Sequence, residues 1–211
     1  MNPDPVVYLV DDDPAVRNAL VRLLAADGLA VHAFGAGTGF LHEHDPELPG
    51  CVLLDMCLPD LDGLAVQQAL LHAGCDRPVV FMTGVGGVAE SVRAMKAGAA
   101  DFLIKPCDEA VLLDAVHGAI ERDLRRRRVR RELDAIAGRM ASLTPREHEV
   151  LTHVVDGRLN KQIAADLGIA EKTIKVHRAR AMEKMGASSL ADLVRKTFEL
   201  EVGAVVAPRS H

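Results

Sequence analysis

The chain has 211 residues, 49% hydrophobic and 26% charged, the balance of a soluble globular protein rather than a disordered or fibrous one. No apolar run reaches the roughly 18 residues of a membrane helix, and Met1-Asn2-Pro3-Asp4-Pro5 leads into no signal-like segment, so neither a membrane association nor secretion is expected. The net charge of −5 conceals a division: residues 1–120 hold 6 Lys/Arg and 17 Asp/Glu, and residues 121–211 hold 19 and 13. An acidic half joined to a basic half predicts two domains with different partners, the second facing a polyanion. The cysteines at 51, 57, 75 and 107 form no CxxC pair, which argues against structural zinc or a disulfide framework and for a reducing, cytoplasmic setting.

In chain order, the first half alternates. Short apolar runs at Val6–Val10, Ala30–Phe34, Cys51–Asp55, Val79–Thr83 and Asp101–Lys105 have strand character. Between and after them, apolar residues at three- and four-residue spacing predict helices over Pro14–Ala26, Thr38–Glu43, Gly63–Ala73, Val88–Ala97 and Asp108–Ile120. Asp13-Pro14 also reads as a helix start. Five βα units predict an α/β, doubly wound, five-stranded parallel sheet whose strands are buried on both faces. Ligands of such sheets bind outside the carboxyl ends of the strands.

Those ends carry Asp11, Asp12 and Asp13 after the first strand, Asp55 on the third, Thr83 on the fourth and Lys105 on the fifth. Converging carboxylates repel one another or recruit a cation. An all-oxygen set with few protein ligands suits Mg²⁺. A lysine and a hydroxyl beside it supply charge and a donor for phosphoryl oxygens. The pattern points to transfer of a phosphoryl group onto a carboxylate.

With Asp11/Asp12, Asp55, Thr83 and Lys105-Pro106 in order, residues 1–120 resemble a response-regulator receiver domain of flavodoxin-like fold. VYLVDDDPAVR and ESVRAMKAGAADFLIKP are similar to that family throughout. The resemblance implies that Asp55 is the phosphoacceptor. It implies Mg²⁺ ligation by Asp12, Asp55 and the backbone carbonyl of Cys57, with Asp11 acting mainly through a metal-bound water. Lys105 and Thr83 would hold the phosphoryl group. Thr83 and Phe102 would form the switch, Phe102 standing where many receivers have Tyr and so being defined by packing alone.

Gly84-Val85-Gly86-Gly87-Val88-Ala89 also satisfies the dinucleotide fingerprint GxGxxA. It follows the fourth strand rather than the first, and the next strand ends in Lys105 rather than an acid, so the expected role is a flexible loop beside Thr83. Similar receivers often carry His and Asp where this chain has Val85 and Gly87.

Beyond the receiver, helical pattern continues into a linker over 121–142. Val129, Leu133, Ile136, Met140 and Leu143 follow 4-3-4-3 spacing for about two heptads, short of a persuasive coiled coil. Residues 125–131 contain six arginines, which suit a solvated helix, phosphate contacts, or docking on the acidic receiver. The second domain, 143–203, begins with a capping box of Thr144, Pro145 and Glu147. Asn160 is the expected cap of a short helix Lys161–Leu167 ending at Gly168. A longer helix then runs from Glu171 to Met185, and a last one from Leu190 to about Leu200, before a tail at 204–211.

A short helix, a glycine turn and a longer basic helix make a helix-turn-helix. Ile174, Ala181 and Met185 form its inward stripe, while Lys172, Thr173, Lys175, Val176, His177, Arg178, Arg180 and Lys184 fill the other faces. EKTIKVHRARAMEKMGA resembles the recognition segment of LuxR-type domains, which implies that Lys172, Thr173, Lys175, Val176 and Arg178 face double-stranded DNA, with His177 packing or touching backbone. Ala170 stands where a capping Ser is common.

Together the halves resemble FixJ-type regulators of the NarL/FixJ family. The resemblance implies a two-component transcription regulator: a sensor histidine kinase phosphorylates Asp55, the receiver forms a homodimer when phosphorylated, and paired helices bind an operator. It would catalyse only its own phosphorylation and dephosphorylation, and so would not be an enzyme in the metabolic sense. The alternative is a phosphorylation-independent DNA-binding regulator whose receiver is inert or answers a small ligand. A phosphatase of the aspartyl-phosphate type would need a second acid two residues after Asp55, where Cys57 stands.

Overall fold

The structure, a computed structural model, describes residues 3–84 and 88–206. Val85, Gly86 and Gly87 of the glycine-rich loop, and the end of the tail from 207, lie outside the described residues. The chain divides into two compact units, residues 1–127 and 128–211.

The first unit contains β1 (Val6–Val10), α1 (Pro14–Ala26), β2 (Ala30–Phe34), α2 (Gly37–Glu43) and β3 (Gly50–Asp55). It continues with α3 (Gly63–His72), β4 (Val79–Thr83), α4 (Val88–Lys96), β5 (Asp101–Ile104) and the start of α5 (Glu109–Ala141). The strands form one parallel sheet in the order β2-β1-β3-β4-β5, the doubly wound arrangement expected from the alternation.

The central strands β1, β3 and β4 are buried throughout, and their side chains alternate between two cores. Tyr8, Val10, Val52, Leu54 and Phe81 pack on one face with Phe40, Val66, Leu70 and Ala94. Val7, Leu9, Cys51, Leu53, Val80 and Met82 pack on the other with Leu24, Leu112 and Val116. Each such side chain contributes about 1.5–3 kcal/mol on burial, so the long apolar runs commit these strands to the centre. The edge strand β2 is mostly exposed or half-buried.

Local chemistry sets the ends of several elements. Asp13 caps α1 by accepting the Ala15 and Val16 N–H groups at 2.7 and 3.3 Å, with Pro14 opening the helix. Gly63 opens α3 against the site strand: a Cβ there would lie 2.8 Å from the Asp55 carbonyl oxygen. Gly50 has φ +142°, and a Cβ would lie 1.9 Å from the Val6 carbonyl oxygen, so only glycine permits the β1–β3 approach.

The helical pattern expected to continue from the receiver into the linker does so without a break, as α5 runs to Ala141. Its arginines, leucines and glutamates are good helix formers, and no proline interrupts them. Part of the arginine run is anchored on the receiver itself. Asp123, 1% exposed, accepts the Gly50 N–H at 2.9 Å and Arg127 Nε at 2.7 Å. Arg127 also donates to the Pro46 and Glu47 carbonyls at 2.7 and 2.8 Å. Arg126 donates to the Asp76 carbonyl, and Arg122 to that of Ala100 at 2.7 Å. These side chains satisfy carbonyls in the turns at the amino-terminal edge of the sheet.

The second unit contains the end of α5 with α6 (Pro145–Val155), α7 (Asn160–Leu167), α8 (Glu171–Lys184) and α9 (Leu190–Val206). The 4-3-4-3 stripe does not form a free seam here: Ile136 is buried with Val150, Val154, Ile163, Ile174 and Met185, and Met140 and Leu143 pack against them. Val129, nearer the start of the stripe, is 50% exposed. The capping box on α6 is present, with Thr144 Oγ1 accepting the Glu147 N–H at 3.3 Å and Glu147 Oε2 the Thr144 N–H at 2.9 Å. Among the described residues, no helix is long and apolar enough to cross a membrane.

Candidate functional site

Sheet register brings the acidic residues together. Val10 pairs with Leu54, so Asp11, the next residue after β1, stands beside Asp55 at the end of β3. Thr83 pairs with Ile104, and the Lys105 N–H donates to the Thr83 carbonyl at 2.7 Å, which sets the lysine on the same edge.

The Lys105 ammonium reaches across the strand ends, donating to Asp11 Oδ2 at 2.7 Å and Asp55 Oδ2 at 2.8 Å. Asp11 is fully buried and Asp55 is 8% exposed, while Asp12 faces solvent. One carboxylate oxygen from each of the three aspartates lies within 4.8 Å of the other two. The second oxygens of the buried pair are oriented by backbone: Asp11 Oδ1 accepts the Asp13 N–H at 3.0 Å and Asp55 Oδ1 the Cys57 N–H at 3.3 Å.

Burial pushes the Asp11 carboxyl above its ordinary range, although the Lys105 hydrogen bond and charge pull the other way. For Lys105, burial disfavours the ammonium, but its hydrogen bonds to Asp11 and Asp55 outweigh that and hold its pKa above the ordinary value. The site therefore keeps a fixed positive charge beside an excess of carboxylate. Three oxygen donors, one of them exposed, fit a hard divalent cation such as Mg²⁺, which keeps several waters and takes few protein ligands.

Thr83 is 1% exposed at the end of β4, beside this cluster. Phe102 is half-buried on β5 and packs against the Tyr8–Phe81 core. Cys57 is exposed two residues beyond Asp55. Arg17 was not singled out from the sequence: its Nη1 donates to the Asp11 and Asp12 carbonyls at 2.7 and 3.3 Å. It fixes the acidic turn from one helical turn along α1. The available signal was an arginine four residues after the aspartate triplet.

In the second unit, α8 presents the predicted basic face. Ile174, Ala181 and Met185 are buried, which turns Lys172, Thr173, Lys175 and Val176 outward. Val176 is 43% exposed, and Lys175 lies 3.2 Å from Glu171. Arg178 is only half-exposed and donates to Asn160 Oδ1 at 3.1 Å. That bond also corrects the expected cap of α7. Asn160 is the first helical residue, and the N-cap is Leu159, whose N–H is met by Gln162 Oε1 at 2.9 Å.

Lys184, grouped with the surface cations from sequence, is exposed and also donates to Glu147 Oε2 at 2.6 Å and the Ser142 carbonyl at 3.2 Å. That hydrogen bond, with the Thr144 N–H, lowers the Glu147 carboxyl to about 2. His177 is half-buried, and its Nδ1 has no hydrogen-bond partner among the described residues. Ala170 precedes α8 in an extended conformation with no side-chain cap.

Residues 7–117 match the response regulator receiver domain family, and residues 141–197 match the luxR family of bacterial regulatory proteins. The chain is 43% identical to Nodulation protein W of Bradyrhizobium diazoefficiens over 199 residues, covering 94% of this chain and 88% of that protein. It is 42% identical to the transcriptional regulatory protein FixJ of Azorhizobium caulinodans, covering 90% of each. Among solved structures it is similar to the response regulator StyR, with TM-score 0.88, 42% identity and coverage of 93% of this chain and 99% of that one. Full-length FixJ from B. japonicum matches with TM-score 0.56 and 36% identity over 95% of this chain and 99% of its own.

Proposed function

Since this chain belongs to the response-regulator family, joining a receiver to a luxR-family DNA-binding domain, we propose that phosphorylation of Asp55 controls its activity as a transcription regulator. The observation that carries this reading is the Lys105 ammonium bridging Asp11 and Asp55. It is a fixed cation positioned where phosphoryl charge arrives.

A partner histidine kinase, or a small acyl phosphate, is the phosphoryl donor. An Asp55 carboxylate oxygen attacks phosphorus in line; the new P–O bond forms as the P–N bond to the kinase imidazole breaks, and the imidazole nitrogen takes up a proton. Asp12 and Asp55, with the Cys57 carbonyl, would hold Mg²⁺, and Asp11 would act mainly through one of its waters. Bound there, the ion would supply positive charge against the phosphoryl oxygens. Lys105 exchanges its bond to Asp55 Oδ2 for one to a phosphoryl oxygen, and the Thr83 hydroxyl donates to another.

Phe102 follows through packing, and the face formed by α4, β5 and α5 mates with a second copy. Two α8 helices then address two half-sites, with Lys172, Thr173, Lys175 and Val176 on the DNA side. Arg178 acts from its bond with Asn160. The chain performs no chemistry beyond its own phosphorylation and dephosphorylation, and it works in the cytoplasm.

The test is intact mass after incubation with Mg²⁺ and acetyl phosphate, beside Asp55→Asn. One added phosphoryl group, absent from the variant and accompanied by tighter operator binding, is expected. A receiver that stays unmodified while a control receiver is phosphorylated in parallel would overturn the reading.

A further inference from the structure

Of the three clustered aspartates, Asp55 is fixed by the ladder of β3, where it pairs with Met82. Asp11 and Asp12 lie instead in the turn between β1 and α1. The Asp11 N–H donates to the Phe34 carbonyl at 3.1 Å, and no further rung of β1 follows it. Asp12 is exposed and belongs to no strand or helix. Its place in the cluster therefore depends on the conformation of the turn, which carries like charges in close company.

Arg17 spans that turn. Its Nη1 donates to the Asp11 carbonyl at 2.7 Å and to the Asp12 carbonyl at 3.3 Å. The Arg17 backbone is itself anchored in α1, its N–H donating to the Asp13 carbonyl at 2.9 Å. On the other side the guanidinium lies against Gly35, the residue after β2. A Cβ there would stand 3.5 Å from Nη1 and 3.7 Å from Cζ, so the group is seated between the turn and the end of the neighbouring strand.

An arginine beside acids ordinarily takes a carboxylate through its fork. Here Nη1 takes main-chain carbonyls, which places positive charge next to the turn and leaves the Asp12 oxygens to a hard cation. Two effects of the guanidinium on such a cation oppose each other. Its charge repels the ion, but Arg17 is only half-buried at an exposed turn, where water and salt weaken that repulsion. Its hydrogen bonds act directly on the two residues that bring ligands, and a turn already ordered spends less affinity on ordering. The second effect dominates.

We propose that Arg17 is the positioning residue of the acidic turn. Its hold on the Asp11 and Asp12 carbonyls pre-forms the divalent-cation site, and thereby sets the Mg²⁺ concentration at which Asp55 accepts a phosphoryl group. The second half of that statement rests on the proposed phosphorylation of Asp55; the first concerns Mg²⁺ alone.

The test compares the full-length parent with Arg17→Met and Arg17→Lys by isothermal calorimetry with Mg²⁺. Methionine keeps a long, helix-favouring side chain and removes the donors. Because one nitrogen serves both carbonyls, a lysine ammonium can replace it. The Met variant binds Mg²⁺ about fivefold more weakly, what one lost hydrogen bond is worth, and the Lys variant stays within about twofold of the parent. Without Mg²⁺, hydrogen exchange in the Met variant quickens in the β1–α1 turn and not in β3 or β4. With acetyl phosphate, its deficit in phosphorylation rate shrinks as Mg²⁺ is raised. An arginine that served folding alone would lower the melting temperature and leave the Mg²⁺ dependence unmoved. Unchanged or tighter Mg²⁺ binding by the Met variant, a Lys variant as weak as the Met variant, or a rate deficit that does not shrink would each overturn the proposal. A parent that binds Mg²⁺ yet accepts no phosphoryl group refutes the proposed function, and calorimetry still decides the role of Arg17. A parent that binds no Mg²⁺ refutes both.

Discussion

Asp123→Ala removes the carboxylate that joins β3 to α5. In the parent chain Asp123 Oδ2 accepts the buried Gly50 N–H and Arg127 Nε. Truncation leaves the Gly50 N–H without a partner, at a cost of about 1–3 kcal/mol. It also removes the counter-charge of Arg127, whose side chain is 25% exposed. Breaking a wholly buried ion pair costs about 3–5 kcal/mol. Here Arg127 keeps the Pro46 and Glu47 carbonyls and some contact with water, so the combined loss is about 2–4 kcal/mol. Asp123→Asn retains an acceptor for Gly50 and loses the charge-assisted part, about 1–2 kcal/mol.

Hydrogen exchange read by mass spectrometry on the full chain localises the loss to peptides from β1 and β3, and the urea midpoint of the receiver transition falls with its slope unchanged. An Asp123→Ala variant within about 0.5 kcal/mol of the parent, or an Asn variant as damaged as the Ala variant, would refute the assignment of this carboxylate as a buried two-sided link.

Three further outcomes are expected. Lys105→Met frees the oxygens of Asp11 and Asp55 from a competing cation and tightens Mg²⁺ binding by at least about tenfold, measured by isothermal titration; unchanged or weaker binding contradicts the competition. Glu147 has a folded pKa of about 2 against an ordinary 4.5, so its contribution is present in full above the ordinary value and is lost as pH falls toward 2. Melting of the helical unit therefore steepens its decline across that window, and Glu147→Gln, in which that carboxyl no longer titrates, shows a shallower one. Ala170→Ser supplies the missing acceptor at the α8 N-terminus and raises stability by about 0.5–2 kcal/mol, read by hydrogen exchange in α8; no gain means that the α8 amides are already satisfied.

Much of the site was legible because its chemistry is tied to strand ends. Once five apolar runs alternate with helices, a parallel sheet places every strand's carboxyl end on one edge, so Asp11, Asp12, Asp55, Thr83 and Lys105 meet there without further information. The inward stripe of α8 was legible for a similar reason: Ile174, Ala181 and Met185 recur at helical spacing, and their burial turns Lys172 and Val176 outward. Local capping was equally visible at Asp13 and at Thr144 with Glu147.

What the tertiary structure decided is which polar partners meet over long separations. The run holding Arg126 and Arg127 read equally as a solvated helix, a phosphate contact or a dock on the receiver, and the fold sets these two on receiver carbonyls some 50 to 80 residues away in sequence. Lys184 read as a surface cation and is exposed, and the fold alone chose Glu147, 37 residues away, as its partner. Asn160 read as a cap, but Arg178 takes its side-chain oxygen. The stripe from Ile136 to Leu143 had coiled-coil spacing, and α6 to α9 supplied the apolar surface that covers it. Periodicity and capping act within one or two helical turns and are written in neighbouring residues. A long flexible cation has many acceptors in reach, and only the packed chain selects one by bringing that acceptor close and excluding the water that would otherwise compete.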